Sequence, residues 1–72
     1  MDQEFRLRQT DDFIKLGQLL KAAGFSDTGA EAKDEILNGN VMVNGETELR
    51  RGKKLKDGDV VSFAGKTVKI IK

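Results

Sequence analysis

Five of the eight residues from Leu49 to Lys56 are cationic: Arg50, Arg51, Lys53, Lys54 and Lys56. A guanidinium can pair bidentately with phosphate oxygens and an ammonium supplies a mobile point charge, so this mixture suits gripping a phosphate backbone. Such contacts hold a polyanion in place without reading its bases. The charge run follows VMVNGETE, which reads as a tight β-hairpin and would give the cations a rigid mount. The competing reading is a solvated loop with no ligand.

Further cations stand at positions that two helices can bring beside that loop. Lys15 lies near the start of the first helix, Lys21 near its end, and Lys33 one turn into the second. Free backbone amides at the start of the second helix, around Gly29 and Ala30, can accept a phosphate as well, so Thr28, which opens that helix, and Gly29 join the candidate site. For Lys33 an ordinary exposed helix lysine is the simpler reading.

The net charge of +1 hides a division. Residues 1 to 48 carry five Lys/Arg against ten Asp/Glu, or −5, while residues 49 to 72 carry eight against two, or +6. This polarity favours an oriented encounter with something negative over uniform coating by a basic tail. It also allows a different class of function, in which the acidic N-terminal half docks on a basic protein partner.

Composition excludes much else. With no Cys and no His, the chain has no disulfide, thiol, zinc-finger or histidine acid/base chemistry. The pairs Asp11 with Asp12 and Asp57 with Asp59 sit in turn-like contexts, where capping explains them better than catalysis or magnesium binding. No phosphate-binding glycine motif or nucleophile elbow occurs. The expectation is a non-enzyme with no cofactor, no metal and no small-molecule substrate. No signal-like segment or apolar run of membrane-spanning length is present, so a cytoplasmic protein without a membrane partner is expected. A small sulfur-carrier fold, suggested by DGDVVSF, is opposed by the terminal Ile70, Ile71 and Lys72, which lack a Gly-Gly tail.

The elements that must position these groups follow from periodicity. Phe5 and Leu7 alternate with charged residues as a short strand. Leu16, Leu19, Leu20 and Ala23 follow helical spacing, and Gly24 supplies the left-handed stop. Thr28 with Glu31 forms a capping box for a second helix, whose inner face is expected from Ala32, Ile36 and Leu37 and whose end falls at Asn38 and Gly39. Val41 and Val43 then alternate as a strand, Asn44 and Gly45 form a type I′ turn, and the partner strand is expected over Glu46 to Leu49. A turn at Asp57 to Asp59 precedes a strand from Val60 to Phe63, a reversal near Gly65 and Lys66, and a return over Thr67 to Ile71. All four phenylalanines, Phe5, Phe13, Phe25 and Phe63, read as core, leaving no stacking platform for bases. The fold class is α+β: one domain over 1–72, with two short helices packed on a small antiparallel sheet of about four to five strands.

The spacing of these features resembles the S-four RNA-binding domain, the αL-motif module named after a small-subunit ribosomal protein. Leu19 and Leu20, Gly24 and Phe25, Thr28, Ala32, Ile36, then Gly39, Val41, Val43, Asn44 and Gly45, and finally Gly58 and Asp59 occupy that family's positions without a gap. The match spans roughly residues 13 to 62. It is similar above all to the stand-alone bacterial members of the YaaA/YbcJ type, in which the domain is essentially the whole protein. The resemblance implies RNA as partner, ribosomal RNA before transfer RNA, bound as folded RNA, with the ribosomal subunit as its setting and a role in subunit assembly or translation. One departure stands out. An arginine that the broader family carries after the helix-opening serine is replaced by Gly29, so binding would rest on Arg50 to Lys56.

Overall fold

The computed structural model describes residues 2–72. Among the described residues, seven strands and two helices follow one another as β1 (Asp2–Arg6), β2 (Ile14–Lys15), α1 (Leu16–Ala22), α2 (Gly29–Leu37), β3 (Val41–Val43), β4 (Glu46–Thr47), β5 (Lys54–Leu55), β6 (Val60–Phe63) and β7 (Lys66–Ile71). Five strands form a sheet in the order β1-β7-β6-β3-β4, and β2 with β5 forms a separate two-stranded ribbon. The α+β class and the antiparallel character hold for β3, β4, β6 and β7. The first strand joins differently: β1 lies parallel to β7, with Asp2 opposite Thr67 and Arg6 opposite Ile71.

Local chemistry sets both helices. Leu16, Leu19 and Leu20 are fully buried at helical spacing. Past α1 the Gly24 amide donates to the Lys21 carbonyl and the Phe25 amide to that of Leu20, with Gly24 at φ 79°, which is a Schellman stop. The same pair of bonds closes α2, from Gly39 to Ile36 and from Asn40 to Glu35. At its other end the Thr28 hydroxyl accepts the Glu31 amide at 3.1 Å. The Glu31 carboxylate reaches back to the Asp27 amide, one residue earlier than the standard box.

Helices and sheet share one core, in which Leu16, Leu19, Leu20, Ala32 and Ile36 meet Val41, Val61, Val68 and Ile70. Three expectations about packing need correction. Leu37, expected on the inner face of α2, is 58% exposed; Ala32 and Ile36, four apart, define the buried stripe, and one further residue rotates the side chain away from it. The partner strand of β3 ends at Thr47, and Leu49 is exposed. Phe13, read as core, is 40% exposed, whereas Phe5, Phe25 and Phe63 pack against the core from partly buried positions.

The Asn44-Gly45 turn has both residues at positive φ, 53° and 85°, as type I′ requires. Asn44 also ties the hairpin to the next turn, because its side-chain oxygen accepts the Val60 amide at 2.9 Å and its nitrogen donates to Asp59 at 3.1 Å. The second tight turn uses Ala64 and Gly65 at 53° and 78°. An alanine held there carries the steric cost of the left-handed region. Ala64→Asn, which creates a second Asn-Gly turn, is expected to stabilise the domain by about 0.5–1 kcal/mol and raise Tm by several degrees in a thermal melt.

Candidate nucleic-acid interface

The charge run is not a free loop. Lys54 and Leu55 form β5, which pairs antiparallel with Ile14 and Lys15 of β2. Upstream, the Leu16 amide donates to the Lys53 carbonyl at 2.9 Å and the Gly17 amide to the Arg51 carbonyl at 3.0 Å. Two first-turn donors of α1, which a helix cannot satisfy internally, therefore fasten the basic segment to the helix. Leu55, fully buried, anchors it from within.

The ribbon sorts its side chains by strand alternation. Ile14 and Leu55, directly opposite, turn toward the core, so Lys15 and Lys54, also directly opposite, share the outer face with Phe13. The Lys54 ammonium lies over the Phe13 ring, 4.9 Å from its centroid. Two like charges facing each other across a ladder destabilise it, and a bound anion would relieve that repulsion.

Beside the ribbon lies an open hollow of about 380 Å³ between the start of α1, the start of α2 and the basic segment. Lys15, Gln18 and Lys21 line it from the α1 side, Gly29 from α2, and Arg51 and Gly52 from the segment. Gly17 forms its floor with no room to spare: an ideal Cβ there would sit 2.6 Å from Cγ of Arg51. A Cβ on Gly29 would meet nothing within 4 Å, so the absent arginine leaves the mouth of the hollow open. Among the described residues, no ion pair engages Lys15, Lys21 or Arg51.

The remaining cations are placed differently. Arg50 is held by Glu48 at 3.0 Å, and that hydrogen bond keeps the Glu48 carboxyl below its ordinary range and raises the Arg50 guanidinium above its own. Arg50, Lys53, Lys54 and Lys56 border a shallow depression on the other side of Gly52, which both concavities share. Thr28 is occupied as the cap of α2, and Lys33, exposed on that helix, does not line the hollow. Two groups were not expected in the site. Gly17 could have been suspected, since a glycine inside a helical pattern often marks close backbone approach; Gln18 carried no such signal. Of the paired carboxylates, Asp59 caps its own turn by accepting the Lys56 amide, whereas Asp57 accepts the Lys72 amide and Asp12 pairs with the Lys72 side chain, long-range ties that no turn role anticipates.

Two helices joined by a Schellman turn, a following Asn-Gly hairpin and a basic ribbon against the first helix define an αL-type module. The S4 domain family matches residues 5–71, and the chain belongs to that family. It is 43% identical over 58 residues to a protein of Escherichia coli K12 named "Putative RNA-binding protein YbcJ", covering 81% of this chain and 83% of that one. It is 44% identical over 54 residues to the "Probable ribosome maturation protein RlbA" of Bacillus subtilis 168, covering 75% and 76%. The solution structure of E. coli YbcJ, described as revealing an αL motif involved in RNA binding, superimposes with a TM-score of 0.71 at 39% identity. That match covers 96% of this chain and 86% of that one.

Proposed function

We propose that this protein is a non-catalytic RNA-binding protein that grips the phosphate backbone of folded RNA, ribosomal RNA first, during ribosomal subunit assembly. The observation that carries this reading is the hollow where Lys15, Lys21 and Arg51, without ion-pair partners among the described residues, converge from separate elements on the start of α2. Phosphate would be met there by a guanidinium, two ammonium groups and the amides of a helix N-terminus. The names of the E. coli and B. subtilis relatives support RNA and the ribosome as the setting.

Binding to structured ribosomal RNA fragments over a salt series tests it. With about four phosphates neutralised, log K should fall against log salt with a slope near −3 to −4, so affinity drops about a hundredfold between 50 and 200 mM. A flat response would sink the proposal. So would an association with ribosomal particles that survives nuclease treatment, because that outcome belongs to a protein partner.

A further inference from the structure

A second hollow, about 610 Å³, adjoins the first and shares Lys15 and Gln18 with it. Its character is different. Phe5 and Phe13 supply aromatic wall, while Arg8 and Asp11 stand at the rim with Lys15 and Gln18. Phe13 is 40% exposed on the same outer ribbon face as two lysines, an unusual place for a phenyl ring that a core could have absorbed. The adjoining ring Phe5 is only partly buried.

We infer that this hollow takes one unpaired nucleobase of the bound RNA, stacked on Phe13, while the neighbouring phosphates lie across Lys15 toward the first hollow. The inference rests on the phosphate-binding reading above and extends it from backbone grip to selection of RNA with an unpaired base beside a helix. Every base has a π-face, so an exposed phenyl ring next to a cationic track is a stacking platform without sequence preference. The Lys54 ammonium covers one face of the Phe13 ring; it can transfer to the phosphate flanking the stacked base and free that face. Asp11 can accept from exocyclic amino groups, Arg8 can donate to base carbonyls, and the Gln18 amide can do either, so the rim has partners for a base edge. Continuity through Lys15 and Gln18 makes a nucleotide of the same RNA the occupant.

The test uses two RNA hairpins of equal length and charge. One carries 2-aminopurine unpaired beside the stem, and the other carries it paired within the stem. The protein should bind the unpaired form more tightly and quench its fluorescence, a signature that needs no variant. Phe13→Ala should weaken binding to the unpaired form by about 5- to 150-fold, leave the paired form unchanged and leave the salt slope unaltered. Phe13→Tyr should restore both affinity and quenching. Equal affinity for the two hairpins without quenching, or an equal loss on both with Phe13→Ala, overturns the stacking site while the phosphate reading stands. Failure of the unaltered protein to bind either hairpin with a salt dependence overturns the phosphate reading, and the stacking site with it.

Discussion

Leu55→Ala is expected to cost about 2–5 kcal/mol of stability, the range for truncating a fully buried leucine. A domain of 72 residues holds a total of only about 4–10 kcal/mol, so this one change removes a large share of it. Urea denaturation should show a lower midpoint with an unchanged slope. Lys56→Ala, at the exposed next position, should stay within about 0.5 kcal/mol. The loss would also reach the RNA interface. Leu55 pairs with Ile14 and seats the segment that carries Arg51 against α1, so affinity should fall in Leu55→Ala although no charge has changed.

Gly17→Ala is expected to weaken RNA binding as much as Arg51→Ala, by about 10- to 150-fold if Arg51 makes a charged hydrogen bond to phosphate. The new methyl would need the space of the Arg51 side chain near its base, where the stem is not free to swing aside as its tip is. Arg51 would be pushed out of the hollow with its charge intact. Fold stability should fall by no more than about 2 kcal/mol, because the gain of about 1 kcal/mol from replacing a helical glycine offsets part of an overpacking cost of about 1–3 kcal/mol. Titration of RNA into each variant, with melts run alongside, checks this. In both, the salt slope should become shallower by about one. An unaltered affinity in Gly17→Ala would show that Arg51 does not reach phosphate from this hollow.

What the sequence made legible was local. Thr28 with Glu31, Gly24, Gly39 and the Asn44-Gly45 turn each fix backbone geometry within a few residues, and each stands where its spacing placed it. The gathering of Lys15, Lys21, Gly29 and Arg51 was also within reach, because two short helices and a hairpin leave few ways to arrange those positions. Long-range pairings were not. The parallel pairing of β1 with β7 joins residues 65 apart, and neither strand carries a local mark of its partner. The ribbon of β2 and β5 is two residues per strand, too short for any periodicity. Leu55 is surrounded by charge, so a run read by composition hides the residue that anchors it. Leu37 and Phe13 erred the other way, since an apolar side chain in an amphipathic stretch suggests burial and neither lies on the buried stripe.

The strand order β1-β7-β6-β3-β4 leaves β1 and β4 with unpaired backbone edges, the feature by which sheets recruit strands from other molecules. Both edges are poor templates for that. β4 is two exposed residues long, one of them Glu46, and β1 exposes Glu4 and Arg6 on either side of Phe5. A second copy could pair with only two residues at β4, and at β1 it would have to meet a charged side chain on each flank of Phe5. The sheet therefore offers a neighbouring strand two short or charged borders, so high local concentration alone gives the domain little means of polymerising through it.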